Sequence, residues 1–489
     1  MGFHQRLVLV TVVHGLFSPY SSTQSLILNY FQPQIQPFVE SSFREHFGLS
    51  LTAAQLSWLW SALASCHSVG TLLGSFAITY FLEKFGRRDT VMVFRNALAV
   101  FAGALQSMSK PANSFELLAL GHLLTGVCSA LNAGLILYIT ECVPDRYRGV
   151  ITLTTGIGGR LLVLAASVLA LPNVLGSEAL WPYFPIAAAT PAMLHLLFAF
   201  LPRSPKFLYF STKLEQSPQM RRAKSVKSIR FYHGDDVDST DILSKYDREA
   251  QLGHFRTTVT FGEIWKTRHL RMPMLICVVA ATAVAFSGLT MRDQYSNGML
   301  MSFGVPKDQT MIAFIILHFV SLPFCVMAPF LVEKLGRRPL MLGCVAMGVT
   351  SVICMFIAEL TTGPVGSAVG MVAFIVGTLS SVFGILNIPY LLIGEMCPQL
   401  TRSKTTSVAI GASICATLMV VFLFPPMNVA IGAFSYLPIA AFETMILLFL
   451  YKCLPETKNR TVADVVEQFM TGQDPPSSER TPLLPPHAA

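Results

Sequence analysis

The stretch Phe81-Leu-Glu-Lys-Phe-Gly-Arg-Arg88 returns 250 residues later as Leu331-Val-Glu-Lys-Leu-Gly-Arg-Arg338. A second motif repeats at a similar separation, because Glu141-x-x-Pro144-x-x-x-Arg148 has the counterpart Glu395-x-x-Pro398-x-x-x-Arg402. Charges that only anchor a membrane topology need no fixed spacing between Glu, Pro and Arg. The two motifs therefore indicate an internal duplication of the chain.

The composition around these motifs is that of a membrane protein. The chain has 489 residues, of which 53% are apolar and 13% are charged, and its mean hydropathy is +0.56. A soluble domain carries roughly 25% charged residues. The composition excludes an ordinary soluble enzyme, a disordered chain, a disulfide scaffold and a DNA-binding protein, and it indicates a helical bundle in lipid.

Apolar stretches near the roughly 20 residues that a bilayer-spanning helix needs recur along the chain. Twelve can be read, at 7–30, 57–82, 90–108, 115–140, 149–171, 180–201, 272–291, 309–332, 340–358, 365–394, 404–424 and 429–451. Lys and Arg are concentrated in alternate loops, which places both termini in the cytoplasm by the positive-inside rule.

The repeat and the spans together predict an all-α membrane protein with twelve transmembrane helices. Both copies of each motif fall on the cytoplasmic side, so the two six-helix halves are a parallel repeat, the architecture of transporters with a site near the bilayer midplane. The expected divisions are a first half at 1–201, a cytoplasmic linker with short helices at 202–271, a second half at 272–452 and a cytoplasmic tail at 453–489.

Further motifs carry a family resemblance over residues from about 7 to 461. They are Tyr138-x-x-Glu141-x-x-Pro144-x-x-x-Arg148-Gly149, Pro202-Arg-Ser-Pro-Lys206 and Pro455-Glu-Thr-Lys-Asn-Arg-Thr461. With the two Gly-Arg-Arg motifs, they resemble the sugar porters of the major facilitator superfamily, and within them the facilitative hexose transporters. The resemblance implies a major facilitator fold and a carrier that works by alternating access. It implies no enzymatic activity, no metal, no cofactor and no nucleic-acid partner, and a protein that functions as a monomer in the lipid bilayer.

The resemblance also implies cytoplasmic ion pairs that close an inner gate and break when the cavity opens inward. The expected gate residues are Arg87, Arg88, Glu141, Arg148, Glu333, Arg337, Arg338, Glu395 and Arg402. Arg203 departs from the family pattern, which has Glu at that position, and this removes one acceptor from the network.

Most of the family's sugar contacts are replaced in this sequence. The positions that match them are Gly156, Thr290, Gln294, Tyr295, Ser321, Tyr390 and Ser413. A site that hydrogen-bonds hydroxyl groups loses discrimination when its partners are deleted. The substrate is thus open between a sugar or sugar-like solute and an organic anion such as urate or a carboxylate. A nutrient sensor that has lost transport is a further alternative.

Arg160 is a charged residue near the middle of the fifth span. It lies 12 residues after Arg148, about 18 Å along a helix, and one turn after Gly156 on the same face. An Arg near the midplane should face water, a partner or a substrate, because its burial in lipid is costly. Two interpretations stay open: a contact for an anionic substrate, or a structural pair with Asp293 or Glu443.

The remaining charged and titratable groups of the spans have less specific interpretations. Arg292-Asp293 marks either an outer gate or simply a helix end. The membrane histidines, His14, His67, His122, His195 and His318, are expected to be packing residues. In the tail, Glu479, Leu483 and Leu484 match an acidic dileucine sorting signal that a clathrin adaptor reads. The expected location is the plasma membrane or an endosomal or lysosomal membrane.

Overall fold

The described part of the chain is helical throughout. The structure is a computed structural model that describes residues 3–210, 217–235, 237–253, 260–361, 363–458, 460 and 462–471, and no strand occurs among them. Up to residue 201 the helices are α1 Phe3–Phe17, α2 Ser21–Gln24, α3 Ile27–Tyr30, α4 Gln32–Phe47, α5 Ala53–Lys84, α6 Arg95–Met108, α7 Phe115–Leu131, α8 Ala133–Cys142, α9 Asp145–Leu169 and α10 Phe184–Leu197.

The linker and the second part of the chain contribute the remaining helices. The linker forms α11 Pro205–Phe210, α12 Pro218–His233, α13 Ser239–Gly253 and α14 Phe261–Lys266. The second part forms α15 Arg268–Phe286, α16 Leu289–Ser302, α17 Thr310–Leu335, α18 Arg337–Thr361, α19 Gly363–Ser380, α20 Ile388–Met396, α21 Gln399–Ile431, α22 Tyr436–Cys453 and α23 Val462–Thr471. Short π-helical turns, Asp89–Phe94 and Ser381–Ile385, precede α6 and α20.

Eight helical segments of the described residues are long and apolar enough to cross a membrane. They cover nine of the twelve predicted stretches, because the segment Thr401–Cys453 contains both 404–424 and 429–451. The other three stretches are helical but shorter or broken. Residues 7–30 form α1, α2 and α3, which Pro19 helps to interrupt, while 149–171 and 180–201 form α9 and α10.

Two of the long helical segments, Arg268–Ser302 and Gly363–Met396, are broken by glycine. Gly288 has a φ of +75° between α15 and α16, and Gly384 has a φ of +152° between α19 and α20. Glycine adopts such backbone conformations without the steric cost that a Cβ brings. Residues close to both breaks line the central cavity.

Within the first half, helices approach until their backbones touch. A Cβ added at Gly70 on α5 would lie 1.9 Å from the Leu123 carbonyl oxygen of α7, and one added at Gly126 would lie 2.0 Å from the His67 oxygen. Gly158 on α9 packs in the same way on α1, 1.8 Å from the Gly15 oxygen. Between the halves, α5 contacts α21, α9 contacts α17 and α3 contacts α16. The central cavity lies between the halves, among the helices that make these contacts.

Candidate functional site

A central cavity of about 410 Å³ is lined by both parts of the chain. The first part supplies residues of α2, α3, α5, α7 and α9, and the second part supplies residues of α16, α17, α19 and the turn that follows α19. Its charged and titratable lining residues are His67, Arg160, Arg292, Asp293 and His318. Hydroxyl and amide groups on the wall include those of Asn29, Tyr30, Ser129, Thr378 and Ser381. These charged and hydrogen-bonding groups on the wall suit a small hydrophilic solute.

Arg160 reaches into this cavity from α9. Its Nη2 donates a hydrogen bond to Ser381 Oγ at 3.2 Å, and the Cys325 thiol is a neighbour. Among the described residues Arg160 forms no ion pair, so the structural pair with Asp293 or Glu443 is not formed in this conformation. Glu443 lies elsewhere, fully buried beside Gly348 and Ser287, and neither of its carboxyl oxygens accepts a hydrogen bond from a described residue.

Arg292 and Asp293 line the same cavity, which the helix-end interpretation did not anticipate. Arg292 is buried, and its Nη1 donates to the Phe374 carbonyl oxygen at 2.7 Å and to Thr378 Oγ1 at 2.9 Å. The two residues reach the cavity wall because they follow the Gly288 break at the start of α16. The Ser-Gly pair inside an apolar run is the sequence signal for this arrangement, since broken helices commonly build transporter sites.

The predicted contact positions are only partly brought together. Gly156 and Arg160 line the cavity, and a Cβ added at Gly156 would meet nothing within 4 Å. The cavity lining does not include the other predicted contacts, Thr290, Gln294, Tyr295, Ser321, Tyr390 and Ser413. Tyr295 instead lines a second cavity near α21 and donates from its hydroxyl to the Val421 carbonyl oxygen.

The predicted contacts outside the cavity have other surroundings. Ser321 donates back to the His318 carbonyl oxygen, Thr290 and Ser413 are buried, and Tyr390 is 44% exposed without reaching the cavity. Alignment to a motif fixes the depth of a residue along its helix, but the facing direction depends on how the helix is packed.

Two of the histidines that were expected to pack also line the cavity. His67 Nε2 lies 3.1 Å from Ser129 Oγ, and His318 Nε2 lies 3.5 Å from the Tyr30 hydroxyl, which in turn lies 2.9 Å from Ser167 Oγ. His14 and His195 are buried away from the cavity and contact each other at 3.1 Å. His122 is buried beside His67, with a ring-centroid distance of 5.6 Å.

Above the cavity, the first part of the chain is hydrogen-bonded to α16. Asn29 Nδ2 donates to the carbonyl oxygens of Arg292 and Asp293, both at 3.1 Å, and to Ser296 Oγ at 2.7 Å. Asn29 Oδ1 accepts from the Asn297 amide at 3.0 Å, and Gln32 Oε1 accepts from the Gly298 amide at 3.1 Å. These contacts join the two halves on the side opposite the Gly-Arg-Arg motifs.

At the Gly-Arg-Arg motifs, each half has one central ion pair. Arg87 Nε donates to Glu141 Oε1 at 3.1 Å, and Arg337 Nε donates to Glu395 Oε1 at the same distance. A hydroxyl completes each pair, because Ser204 donates to Glu141 and Thr457 donates to Glu395. Ser204 and Thr457 are the third residues of the Pro202-Arg-Ser and Pro455-Glu-Thr motifs, so the repeat extends to the segments after each half.

The repeat differs at its second residue. Glu456 accepts from the backbone amides of Arg337 at 3.0 Å and Arg338 at 3.2 Å. Arg203 cannot accept; its Nη2 instead forms an ion pair of 2.6 Å with Asp89, which also pairs with Arg88. The acceptor that is missing at Arg203 is therefore compensated by the Asp89 carboxylate, which accepts from Arg203.

The remaining predicted gate residues have local contacts. Arg337 also pairs with Glu333 at 3.2 Å, Arg338 donates to the Tyr451 carbonyl oxygen and Arg402 donates to the Gly394 carbonyl oxygen. Of Arg148 only the backbone, within α9, is described. The sorting residues Glu479, Leu483 and Leu484 lie outside the described residues. Every ion pair described in this cluster joins segments of one half, so these pairs do not by themselves connect the two halves.

Comparison with known proteins gives matches over nearly the whole chain. Residues 9–469 match the family model described as "Sugar (and other) transporter". The chain is 30% identical over 464 residues to facilitated glucose transporter member 3 of solute carrier family 2 from Canis lupus familiaris, covering 94% of this chain and 91% of the relative. It is 28% identical over 460 residues to member 1 from Gallus gallus, covering 93% of this chain and 91% of that relative.

Among solved structures, the chain is similar to the inward open conformation of the xylose transporter XylE from E. coli. The TM-score is 0.73 at 18% sequence identity, and the match covers 94% of this chain and 99% of the other. At this identity the likeness concerns the fold.

Proposed function

The chain belongs to the sugar (and other) transporter family and is a facilitative carrier that works by alternating access, and we propose that its solute binds in the central cavity around Arg160. The favoured solute is a sugar or a sugar-like molecule. One observation carries the assignment of the site: both halves line the cavity and present charged and hydrogen-bonding groups to it, and the contacts of Asn29 with α16 close it on one side.

The direct test is uptake by the purified full-length chain in liposomes, measured against hexoses, polyols, urate and monocarboxylates. Saturable, protein-dependent uptake of one class identifies the solute. If no member of the panel enters faster than into empty liposomes, the chain is instead a sensor on the same fold.

An organic anion is the second candidate, and the charge of the cavity favours it. Arg160 and Arg292 contribute two positive charges, and Asp293 is the one carboxylate among the lining residues. Arg292 already donates to Phe374 and Thr378, which leaves Arg160 as the cation oriented toward a solute.

Paired variants at Arg160 separate the two solutes. Arg160→Gln lowers anion uptake more than Arg160→Lys does, because Lys keeps the charge while losing the planar fork that binds a carboxylate through two hydrogen bonds. For a neutral sugar both variants retain uptake within a few-fold. Well-folded Arg160→Gln protein with undiminished uptake of every solute would end the anion hypothesis.

We also propose that the chain is divided into two six-helix halves, a cytoplasmic linker and a cytoplasmic tail, and that the cytoplasmic ion pairs form its inner gate. Because the described pairs lie within each half, we assign Glu141 and Glu395 to holding the segments after Pro202 and Pro455 against the helix ends. Glu141→Gln with Glu395→Gln should preserve folding and change the accessibility, from the cytoplasm, of a cysteine introduced at the cavity-lining Ser25. Unchanged accessibility would remove these residues from the gate.

Location and partners complete the proposal. The chain is a multi-pass protein of the plasma membrane or of an endosomal or lysosomal membrane, and it acts as a monomer without enzymatic activity. Its tail signal, read by a clathrin adaptor, favours the endosomal or lysosomal location. Leu483→Ala with Leu484→Ala should move the protein to the cell surface, and an unchanged distribution would exclude the signal.

A further inference from the structure

The linker helix α12 carries basic residues on its free face. Its sequence holds five of them, Arg221, Arg222, Lys224, Lys227 and Arg230, and no acid. Ser225, Ser228, Ile229 and Tyr232 are buried against the protein, whereas Lys227 and Arg230 are exposed. A helix docked on one face therefore presents cations on the other.

Between this helix and the beginning of α1 lies a pocket of about 470 Å³. Its wall is apolar, with Pro202, Ala223, Val226 and Phe231, and its cations are Arg6, Lys227 and Arg230. Ala223, Lys227 and Arg230 share one face of α12 because they are spaced by three and four residues.

Arg6 is held in place by neighbouring side chains, whereas Lys227 and Arg230 have no carboxylate partner among the described residues. The Arg6 guanidinium lies 3.1 Å from the Asp235 carboxylate and 5.5 Å from the centroid of the Phe231 ring. Among the described residues no carboxylate pairs with Lys227 or Arg230. Three positive charges against the single Asp235 leave the pocket with a net charge of +2.

The pocket adjoins the surface that faces the lipid. Leu197 and Phe200, just before the pocket residue Pro202, are each 70% exposed. Large apolar side chains left exposed on membrane-spanning segments contact acyl chains. The cations thus lie at the cytoplasmic edge of the bilayer, where anionic lipids concentrate.

We propose that this pocket binds the phosphorylated headgroup of an anionic membrane phospholipid, whose acyl chains lie along Leu197 and Phe200. A phosphate monoester carries about −1.5 to −2 charges near neutral pH, which complements the net charge of the pocket. Lys227 and Arg230 donate charge-assisted hydrogen bonds to its oxygens, and Arg6 is already held in position by Asp235. The site lies outside the transport cavity and is independent of the identity of the solute.

The test uses the full-length chain in phosphatidylcholine nanodiscs containing a few mole per cent of phosphatidylinositol 4-phosphate. Lipid bound after purification is quantified by mass spectrometry, and the thermal unfolding midpoint is measured with and without the phosphoinositide. The pocket variant is Lys227→Gln with Arg230→Gln. The matched control is Arg221→Gln with Arg222→Gln, which removes the same charge from the same helix outside the pocket.

We expect the phosphoinositide to raise the unfolding midpoint of the unmodified chain. The pocket variant should bind the lipid about 30-fold more weakly, because each basic residue near an anionic surface strengthens binding by a similar factor and the variant loses two of them. The control variant should retain most of the binding. Equal losses in both variants, or no midpoint shift in the unmodified chain, would overturn the proposal. An equal shift produced by soluble inositol 1,4,5-trisphosphate would assign the pocket to a free phosphate instead of a lipid.

Discussion

Gly156 leaves an unfilled position on the wall of the transport cavity. A Cβ there meets no atom within 4 Å, so the wall has room for a longer side chain that carries a hydrogen-bonding amide. Gly158, two residues further along α9, has the opposite environment, because its Cβ would lie 1.8 Å from the Gly15 carbonyl oxygen. The two glycines therefore form a matched pair for substitution.

We predict that Gly156→Gln folds and increases hexose uptake. Replacing a helical glycine with glutamine stabilises α9 by roughly 0.5–1 kcal/mol. One added hydrogen bond to a sugar hydroxyl improves apparent affinity by about two- to tenfold. Liposome uptake and the unfolding midpoint check both effects, and Gly158→Gln, as the control, should fail to fold. Unaltered uptake by a stable Gly156→Gln protein would mean that the solute does not contact this wall.

Glu443 is a fully buried carboxyl group that accepts no hydrogen bond from a described residue. An ionised carboxylate without a partner in the membrane is costly by several kcal/mol, so we expect only a neutral group to be tolerated at this position.

We therefore predict that Glu443→Gln, which preserves its shape and neutrality, changes the free energy of unfolding by less than about 1 kcal/mol. Glu443→Lys introduces a buried charge and should cost about 3 kcal/mol or more. Thermal unfolding of the purified variants in detergent measures both. A Gln variant as unstable as the Lys variant would indicate an ionised carboxylate with an essential partner.

At the scale of elements, the repeat unit is longer than the Gly-Arg-Arg and Glu-x-x-Pro motifs. Pro202-Arg-Ser and Pro455-Glu-Thr place a hydroxyl on Glu141 and on Glu395, and they differ where Arg203 replaces an acid. Arg203 and Asp89 form an ion pair of 2.6 Å with side-chain exposures of 30% and 16%.

A double-mutant cycle with Arg203→Gln and Asp89→Asn should give a coupling energy of about 0.5–1 kcal/mol. The unfolding free energies of the single and double variants measure it. Arg338→Gln with Glu456→Gln serves as the control, because Glu456 accepts there from backbone amides that the Arg338 substitution leaves in place. A coupling near zero at Arg203 would show that the Asp89 contact does not compensate for the missing acid.

Sequence reasoning predicted where the helices lie along the chain better than it predicted the direction in which their side chains point. The apolar stretches and the repeat predicted the all-α major facilitator fold, which is confirmed, and the spacing from Gly156 predicted that Arg160 reaches the cavity. Ser321 and Ser413 lie on predicted helices but do not line that cavity, because side-chain direction depends on packing between helices distant in sequence. Arg292 and Asp293 were predicted to form an outer gate or to mark a helix end. Their place on the cavity wall was not predicted, because it follows from the left-handed Gly288.

At the scale of the whole molecule, a small set of hydrogen bonds between α3 and α16 closes the central cavity on the side of Asn29. Asn29 alone makes four of them to α16, at 2.7–3.1 Å. Gln34 makes a comparable bond to the Gly176 carbonyl oxygen, but within the first half of the chain.

We predict that Asn29→Ala shifts the carrier toward a conformation open on that side. Losing these bonds weakens closure by roughly 2 kcal/mol, about 30-fold in the equilibrium between the two states. The labelling rate of a cysteine placed at Ser25, which lines the cavity, measures the shift with an impermeant reagent. Gln34→Ala should leave this rate unchanged, and equal rates in all three proteins would refute the role of Asn29.

The glycine contacts of the first half decide which parts of the molecule can move. Backbones that touch at Gly70, Gly126 and Gly158 cannot slide past one another without collision, so α5 moves together with α7, and α1 moves together with α9. Motion between the halves must occur where such contact is missing, at the hydrogen bonds between α3 and α16, which can break, and at the bend of Gly288. During transport these rigid groups of helices rotate relative to the second half of the chain. The α3–α16 contact and the Gly288 bend limit how far they rotate.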